Sequence, residues 1–470
     1  MTGTVTLPVW LFALILAFAG VTFASHFLFP SVRWFFRRRL ERAVARLNER
    51  LERPIQPFKL ARRYDLIQRL CYDPEITRAI VDHARATGVR EDVAFEEARR
   101  YAREIVPSFS AFAYFGFAIR AARALSNALY RVRMGHHAAE ALSEIDPQAT
   151  VVFVMNHRSN MDYVLVTYLA ADRSALSYAV GEWAQVWPLS RLIRAMGAYF
   201  IRRRSRNALY RRVLQRYVQM ATEGGVTQAI FPEGGLSLDG GLAPPKLGLL
   251  KYIVEGADLS TRDVVFVPVA LNYDRVLEDR VLVAAHGAGT RRFEARLSVA
   301  ARFALWQLWL RLTGRFNRFG YAAVSFGTPV SLRALGPLAD PAVLAQRLLS
   351  DIAAVVPVLP VPLVARILLR QGPVDRAGLQ AAVGAALDTL GQAHVHLPRD
   401  SRDYAAEVGL RTLLRRGIAE ETPEGFRITA AEVPLAAYYA RSIGHLFGSD
   451  GDAGQDSPHP IGQVSATARS

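Results

Sequence analysis

Val151-Val152-Phe153-Val154-Met155-Asn156-His157-Arg158-Ser159-Asn160-Met161-Asp162 passes from an apolar run into a polar loop and then into a helix start. Five consecutive apolar residues predict a buried strand. Ser159-x-x-Asp162 is a capping box of the kind that opens a helix. His157 therefore sits on the loop between the two, with a carboxylate on the next turn to orient it, which is one way to build a general base. The plainer reading of the same residues is a loop histidine beside a helix cap.

Three more β-rich runs follow in the next 170 or so residues: Thr227–Phe231, Val264–Ala270 and Ala322–Phe326. Short strands alternating with helical stretches predict an α/β layer architecture. On either side the pattern is helical. The expected organisation is an anchor at 1–30, a helical region at 31–140, the α/β domain at 141–335, a helical C-terminal region at 336–448 and a disordered tail at 449–470. Within the first helical region, Phe109 to Leu129 is apolar and aromatic but carries Arg120 and Arg123. It reads either as a buried helix or as one lying in a membrane interface.

Leu7 to Phe29 contains no Asp, Glu, Lys or Arg. At about 1.5 Å per residue it is long enough to cross a bilayer. Arg33, Arg37, Arg38, Arg39, Arg42 and Arg46 come directly after it and no basic residue precedes it. The positive-inside rule then places the rest of the chain in the cytoplasm, anchored once in the inner membrane. A cleaved signal peptide is the competing reading, and the charged n-region it needs is missing. The formal net charge of +16 favours an anionic partner: nucleic acid, anionic lipid or a phosphorylated substrate. Cys71 is the only cysteine, which excludes an internal disulfide and a cysteine metal site. No metal-ligand spacing is visible.

Three other stretches carry chemistry. Gly197-Ala-Tyr-Phe-Ile-Arg202-Arg-Arg204 leads into Arg206, Arg211, Arg212 and Arg216 with no acid among them. A solvated helix face alternates signs, so this cluster calls for an anion, either a substrate phosphate or lipid headgroups. Phe231-Pro-Glu233-Gly234-Gly235 follows a strand, and its glycines let backbone N–H groups approach a ligand. A tight turn would need the same glycines. Val267-Pro268-Val-Ala-Leu-Asn-Tyr273-Asp reads as a strand ending in a proline-shaped bend, or simply as a core strand.

In this order and spacing the four blocks resemble the membrane-bound bacterial glycerol-3-phosphate acyltransferases, within the wider glycerolipid acyltransferase superfamily. Ala437-Tyr438-Tyr439-Ala-Arg-Ser-Ile-Gly-His445-Leu resembles the end of the bacterial long-chain members, so the likeness spans over half the chain. The resemblance implies a mixed sheet flanked by helices, with the catalytic domain at 141–335. It implies that His157 is the general base and Asp162 its orienting partner. Arg158, Ser159, Arg202, Arg204, Glu233, Gly234, Gly235 and Lys246 would form the substrate side, and Pro268 would shape the acyl-donor side. The implied reaction moves a fatty acyl group from acyl-CoA or acyl-carrier protein to the sn-1 hydroxyl of glycerol 3-phosphate. A thioester is already activated, so a base suffices and no cofactor is called for. Backbone N–H groups near Ser159, or an arginine, are the candidates for stabilising the oxyanion.

One departure bears on the acceptor. The family's third block continues with two phosphate-binding arginines, and here Leu236 and Leu238 stand in their places. Lysophosphatidic acid is more apolar than glycerol 3-phosphate and suits a leucine-lined site, whereas Arg158 after the histidine is typical of the glycerol-3-phosphate branch. Glycerol 3-phosphate is the expected acceptor and lysophosphatidic acid the alternative. Anionic membrane lipids are expected partners. A nucleic-acid binder would explain the charge but not an anchor or a His–Asp pair, so no nucleic acid is expected. A non-catalytic membrane scaffold predicts that His157 and Asp162 are replaceable. Phe303 to Arg311, with Trp306 and Trp309, reads as an interfacial or a core segment.

Overall fold

The four apolar runs are strands of one mixed sheet. The computed structural model describes residues 8–448 apart from 138, 170–174, 182–188, 203–204, 206, 290–312, 314–317, 337–339 and 391–394. Side chains at 18, 21–37, 40–41, 136–137, 139, 169 and 189 are also outside the description. Arg204, the Trp306/Trp309 segment and the tail at 449–470 lie outside the described residues.

The strands are β1 (Arg131–His137), β2 (Thr150–Met155), β3 (Ser177–Gly181), β4 (Tyr199–Ile201), β5 (Gln228–Ile230), β6 (Val264–Tyr273), β7 (Tyr321–Phe326) and β8 (Val330–Ser331). Their order is β1-β7-β6-β2-β5-β3-β4, with β8 also paired to β6. β6, β2, β5, β3 and β4 run parallel, and β7 and β8 run antiparallel to β6. All residues of β2 and β6 are buried, as expected for central strands covered on both faces. The carboxyl ends of the five parallel strands open on one edge, where ligands bind in open α/β sheets.

Pro268 does not end its strand. It stands inside β6, opposite Val154 of β2. On its other side the β8 pairing covers Val265 and Phe266, and the β7 pairing begins at Val269. Proline therefore occupies the gap between two ladders, where no N–H is required. Its carbonyl accepts from Gly327 N–H at 2.9 Å. The stretch 131–137, expected to be helical, is the edge strand β1; Arg131 and Arg133 are exposed along it, a common guard for a free edge.

Helices cover the sheet. Arg63–Cys71, Pro74–Thr87, Glu91–Ile105 and Ile119–Leu129 precede β2 in the chain, and Met161–Leu169, Ala208–Glu223 and Asp279–Gly287 connect strands. Pro341–Ala354, Pro360–Gln371, Arg376–Thr389, Arg402–Arg415 and Val433–Gly444 follow β8, with a hairpin of β9 (Ala419–Thr422) and β10 (Gly425–Ile428) among them. One hydrophobic cluster contains Leu66, Val152, Phe266, Val364 and Tyr439, so the helices before and after the sheet share its core.

The residues up to Ile55 form a separate unit dominated by the helix Val9–Asn48. Apolar run and arginines lie on one continuous helix rather than parting at Pro30. Among the described residues no helix is long and apolar enough to cross a membrane. Side chains at 7, 18 and 21–29 of the expected span are outside the description.

Just past β6, Asp274 is fully buried and ties the sheet to the C-terminal helices. Its carboxylate oxygens accept from Tyr321 N–H and Val361 N–H, each at 2.9 Å. Burial pushes its pKa up to about 7 against the pull of those two donors. In the unfolded chain Asp titrates near about 3.9. Between about pH 4 and 7 the folded state thus binds the extra proton, and stability falls as pH rises across that window. Thermal melts should show this decline. Asp274→Asn should melt lower throughout, because its amide can accept only one of the two N–H groups, and should lose the decline.

Candidate active site

The capping box and the histidine–carboxylate pair are one structure. Met161 N–H donates to Ser159 Oγ at 3.1 Å, and Ser159 N–H donates to Asp162 Oδ2 at 3.1 Å. The same oxygen accepts from Arg158 N–H at 2.7 Å and lies 2.9 Å from His157 Nδ1. Tyr273 Oη donates to Asp162 Oδ1 at 2.6 Å. Burial and the neighbouring Asp162 charge push the Tyr273 phenol well above its ordinary range, so the proton stays on the tyrosine. Asp162 is an acceptor on all sides. Nδ1 of His157 is therefore the donor in this pair, and Nε2 makes no hydrogen bond among the described residues.

The ring is also fixed by packing. Phe231 stacks on it with centroids 4.1 Å apart, and Tyr163 meets it edge-on at 5.4 Å. His157 is 2 % exposed and Asp162 0 %. Both main-chain groups of the histidine are engaged as well. Its N–H donates to Glu233 Oε1 at 2.9 Å, and its carbonyl accepts from Ser237 N–H at 2.9 Å. Asn156 bonds the backbone of Leu271 in both directions, at 3.0 and 2.7 Å. The first, third and fourth sequence blocks thus meet at this loop.

The remaining predicted residues fall in different places. Glu233 is buried, and its second oxygen accepts from Ala243 N–H at 3.0 Å, so both oxygens serve the backbone. Burial raises its pKa; the Ala243 N–H, Arg158 and the His157 N–H oppose that. Gly234 has φ +68°, and a Cβ there would meet Lys246 Cδ at 2.8 Å, so the lysine crosses directly over the turn. A cavity of about 420 Å³ opens beside Glu233, lined by Gly235, Leu236, Leu238, Leu242, Ala285 and His286. Arg158 is 2 % exposed; one Nη donates to Ser442 O at 3.2 Å, and its Nε and other Nη are buried without a protein partner among the described residues. The N–H groups of Arg158 and Ser159 donate to Asp162, which removes them as oxyanion donors.

The second block stands apart. Arg202 follows β4, three strand spacings from β2 and so on the order of 14 Å across the sheet at about 4.8 Å per strand. Its guanidinium grips Glu104 with both arms, at 2.8 and 2.5 Å, and lies over the rings of Tyr101 and Tyr210. The Glu104 bonds raise its pKa. Arg216 likewise pairs with Asp73 and Glu223, each at 2.8 Å. Acids distant in sequence answer these arginines, which the local pattern did not show.

Two residues of the site carried no sequence assignment. Tyr273 stood in the fourth block without a role. Glu278 lies beyond it: Ser159 Oγ donates to its Oε2 at 2.7 Å, and Asn160 Nδ2 to its Oε1 at 3.0 Å. Burial raises the Glu278 pKa, and the Ser159 and Asn160 donors lower it. No local pattern marks an acid more than a hundred residues from its partner.

Comparison with known proteins gives the following. The family described as Acyltransferase matches residues 135–272, and the Glycerol-3-phosphate acyltransferase C-terminal region matches 305–451. A glycerol-3-phosphate acyltransferase from Alteromonas mediterranea is 28% identical over 279 residues, covering 58% of this chain. The chain spans about a third of that relative's length, 32%. The crystal structure of a 1-acyl-sn-glycerophosphate (LPA) acyltransferase from Thermotoga maritima aligns at 19% identity with a TM-score of 0.32, covering 51% of this chain and 75% of that one.

The third block also rests on the C-terminal helix. Gly240 has φ +87°, and a Cβ there would fall 1.8 Å from the carbonyl oxygen of Tyr438. Gly240→Ala should cost more than about 1 kcal/mol from the left-handed backbone alone, with the clash added, and lower the melting temperature. Gly241→Ala is the control: its nearest neighbour would be Asp239 Oδ2 at 3.5 Å. Equal melting of the two variants would contradict the packing described.

Proposed function

We propose that the chain is a glycerol-3-phosphate acyltransferase, which acylates the sn-1 hydroxyl of glycerol 3-phosphate from acyl-CoA or acyl-carrier protein. The matches to Acyltransferase at 135–272 and to the Glycerol-3-phosphate acyltransferase C-terminal region at 305–451 support this reading. The observation that carries this reading is the buried His157–Asp162 pair with its Nε2 left as acceptor. In the reaction Nε2 takes the hydroxyl proton as the oxygen attacks the thioester carbonyl carbon. The C–S bond breaks, and the imidazolium returns the proton to the departing thiolate. Asp162 stabilises that imidazolium and holds the tautomer. Glu233 acts by positioning, since it holds the His157 N–H.

The cavity lined by Leu236 and Leu238 favours a second reading in which the acceptor is lysophosphatidic acid. An acyl chain suits those leucines, and a bare glycerol phosphate does not use them.

The assay is acyl transfer from palmitoyl-CoA by purified protein in detergent–lipid micelles, with glycerol 3-phosphate and lysophosphatidic acid as competing acceptors. Glycerol 3-phosphate should turn over, and His157→Ala should lower kcat by roughly 10²- to 10⁴-fold, the usual worth of a general base. Turnover of lysophosphatidic acid alone would select the second reading. Activity retained in His157→Ala would sink both.

The same reading seats the enzyme on the inner membrane with its catalytic part on the cytoplasmic side. Val9, Trp10 and Phe12 are exposed at the start of the first helix. The segment Phe112–Leu129 buries Tyr114, Ala118 and Ala122 but exposes Phe112, Phe117 and Leu125, with Arg120 and Arg123 also outward. An aromatic and basic face of this kind suits an anionic bilayer surface. Protein lacking residues 1–30 should still sediment with phosphatidylglycerol vesicles, and less so when Phe112 and Phe117 are changed to Ser. A truncated protein that stays in the supernatant would refute the seating.

A further inference from the structure

If the acceptor and the donor both carry phosphate, the chain must offer cations to receive it, and the obvious ones are spent. Leu236 and Leu238 carry no charge, and Arg202 is held by Glu104. A second cavity, of about 340 Å³, lies past the carboxyl end of β6 and is walled by Arg275, Arg280, Arg415 and Arg416 together with Glu278 and Asp279.

The two carboxylates of this cavity already have partners, Asp279 in Arg416 of the same cavity and Glu278 in the histidine loop. Asp279 accepts from Arg416 and from Tyr439 Oη. Glu278 faces the histidine loop, where Ser159 and Asn160 bond it. Arg280 is answered by Glu432 at 2.7 Å. Two arginines are left over. Arg275 lies with its guanidinium 4.2 Å from the Phe319 ring centroid and meets no carboxylate among the described residues. Burial and the nearby Arg416 lower its pKa, and the Asp279 charge opposes them without a hydrogen bond to Arg275. Arg415 is exposed at the rim and is likewise without an acid among the described residues.

We propose that this cavity is a phosphate-monoester site, built by Arg275 from the end of the central sheet and Arg415 and Arg416 from the C-terminal region. A guanidinium packed over an aromatic ring can still use its N–H groups for a bidentate grip on phosphate oxygens. Glu278 is the wall that the cavity shares with the His157 loop, so the ligand sits one side chain away from the catalytic residues. The phosphate can come from the donor, as the 3′-phosphate of a coenzyme A thioester, or from the glycerol phosphate acceptor. The proposal rests on the acyl-transfer reading for these two sources, but its test reads binding rather than turnover.

Titration calorimetry on the full chain in detergent would use coenzyme A, 3′-dephospho-coenzyme A and glycerol 3-phosphate, with Arg275→Gln and Arg415→Gln as variants. A donor site predicts that coenzyme A binds at least about tenfold more weakly to both variants, while 3′-dephospho-coenzyme A binds weakly to every form. An acceptor site predicts that only glycerol 3-phosphate weakens. Unchanged binding of all three probes would overturn the proposal. Arg415 is exposed, so its variant decides the matter even if Arg275→Gln fails to fold. Weakened binding in a protein that transfers no acyl group would leave the site standing and the proposed function refuted. Unchanged binding in an active enzyme would do the reverse.

Discussion

A fully buried carboxylate is tolerable only where donors replace the water it has lost. Asp162 has four: the His157 ring, the N–H groups of Arg158 and Ser159, and the Tyr273 hydroxyl. Each donor belongs to a different demand of the fold. The two N–H groups are the turn that opens the helix Met161–Leu169. Tyr273 is the last residue of β6, and the ring is the candidate base. The charge on Asp162 thereby fixes the strand β2, the following helix and the neighbouring strand to one point. Losing that side chain would leave two buried N–H groups and a phenol without an acceptor, so the loop depends on the same carboxylate as the histidine ring.

The helices after β8 are part of this arrangement rather than an appendix to it. Asn272 Nδ2 donates to the Pro357 carbonyl at 2.8 Å. Tyr439 Oη accepts from Val276 N–H at 3.1 Å. Gly240 presses on the Tyr438 backbone, and Arg158 reaches Ser442. The helix Val433–Gly444 therefore touches the first, third and fourth blocks at once. Its two tyrosines are buried, and the Tyr439 hydroxyl meets the Val276 N–H, which sets that loop position more sharply than apolar contact can.

What the sequence made legible was local. The apolar run 151–155 and the box Ser159-x-x-Asp162 gave the strand, the helix start and the His–Asp pair, because their partners lie within a few residues. The α/β layering followed from the alternation, and the mixed sheet flanked by helices from the family resemblance. What stayed hidden was tertiary. Tyr273 is 111 residues from Asp162, and Glu278 is 119 from Ser159. The arginines after Gly197 look unanswered along the chain because Glu104 and Asp73 reach them from helices about a hundred residues earlier. The strands β1 and β4 escaped for a different reason: both are edge strands, one arginine-rich and the other three residues long, so neither shows the buried run that marks a central strand.

Arg158 explains why the parts cannot be separated. A buried guanidinium with two unsatisfied nitrogens costs several kcal/mol unless opposite charge lies near. Its hydrogen bond to the Ser442 carbonyl is one compensation. The other is Glu233, whose carboxylate is itself raised by burial and drawn back by the Ala243 N–H, by Arg158 and by the His157 N–H. Arg158 lies near enough to draw the Glu233 pKa down, but no ion pair joins the two side chains among the described residues. Exposing either one, by removing the helix over Ser442 or the turn after Phe231, would let water pair with one charge and abandon the other. The histidine loop is thus held from both sides, by Glu233 of the sheet region and by the Ser442 carbonyl of the C-terminal helix.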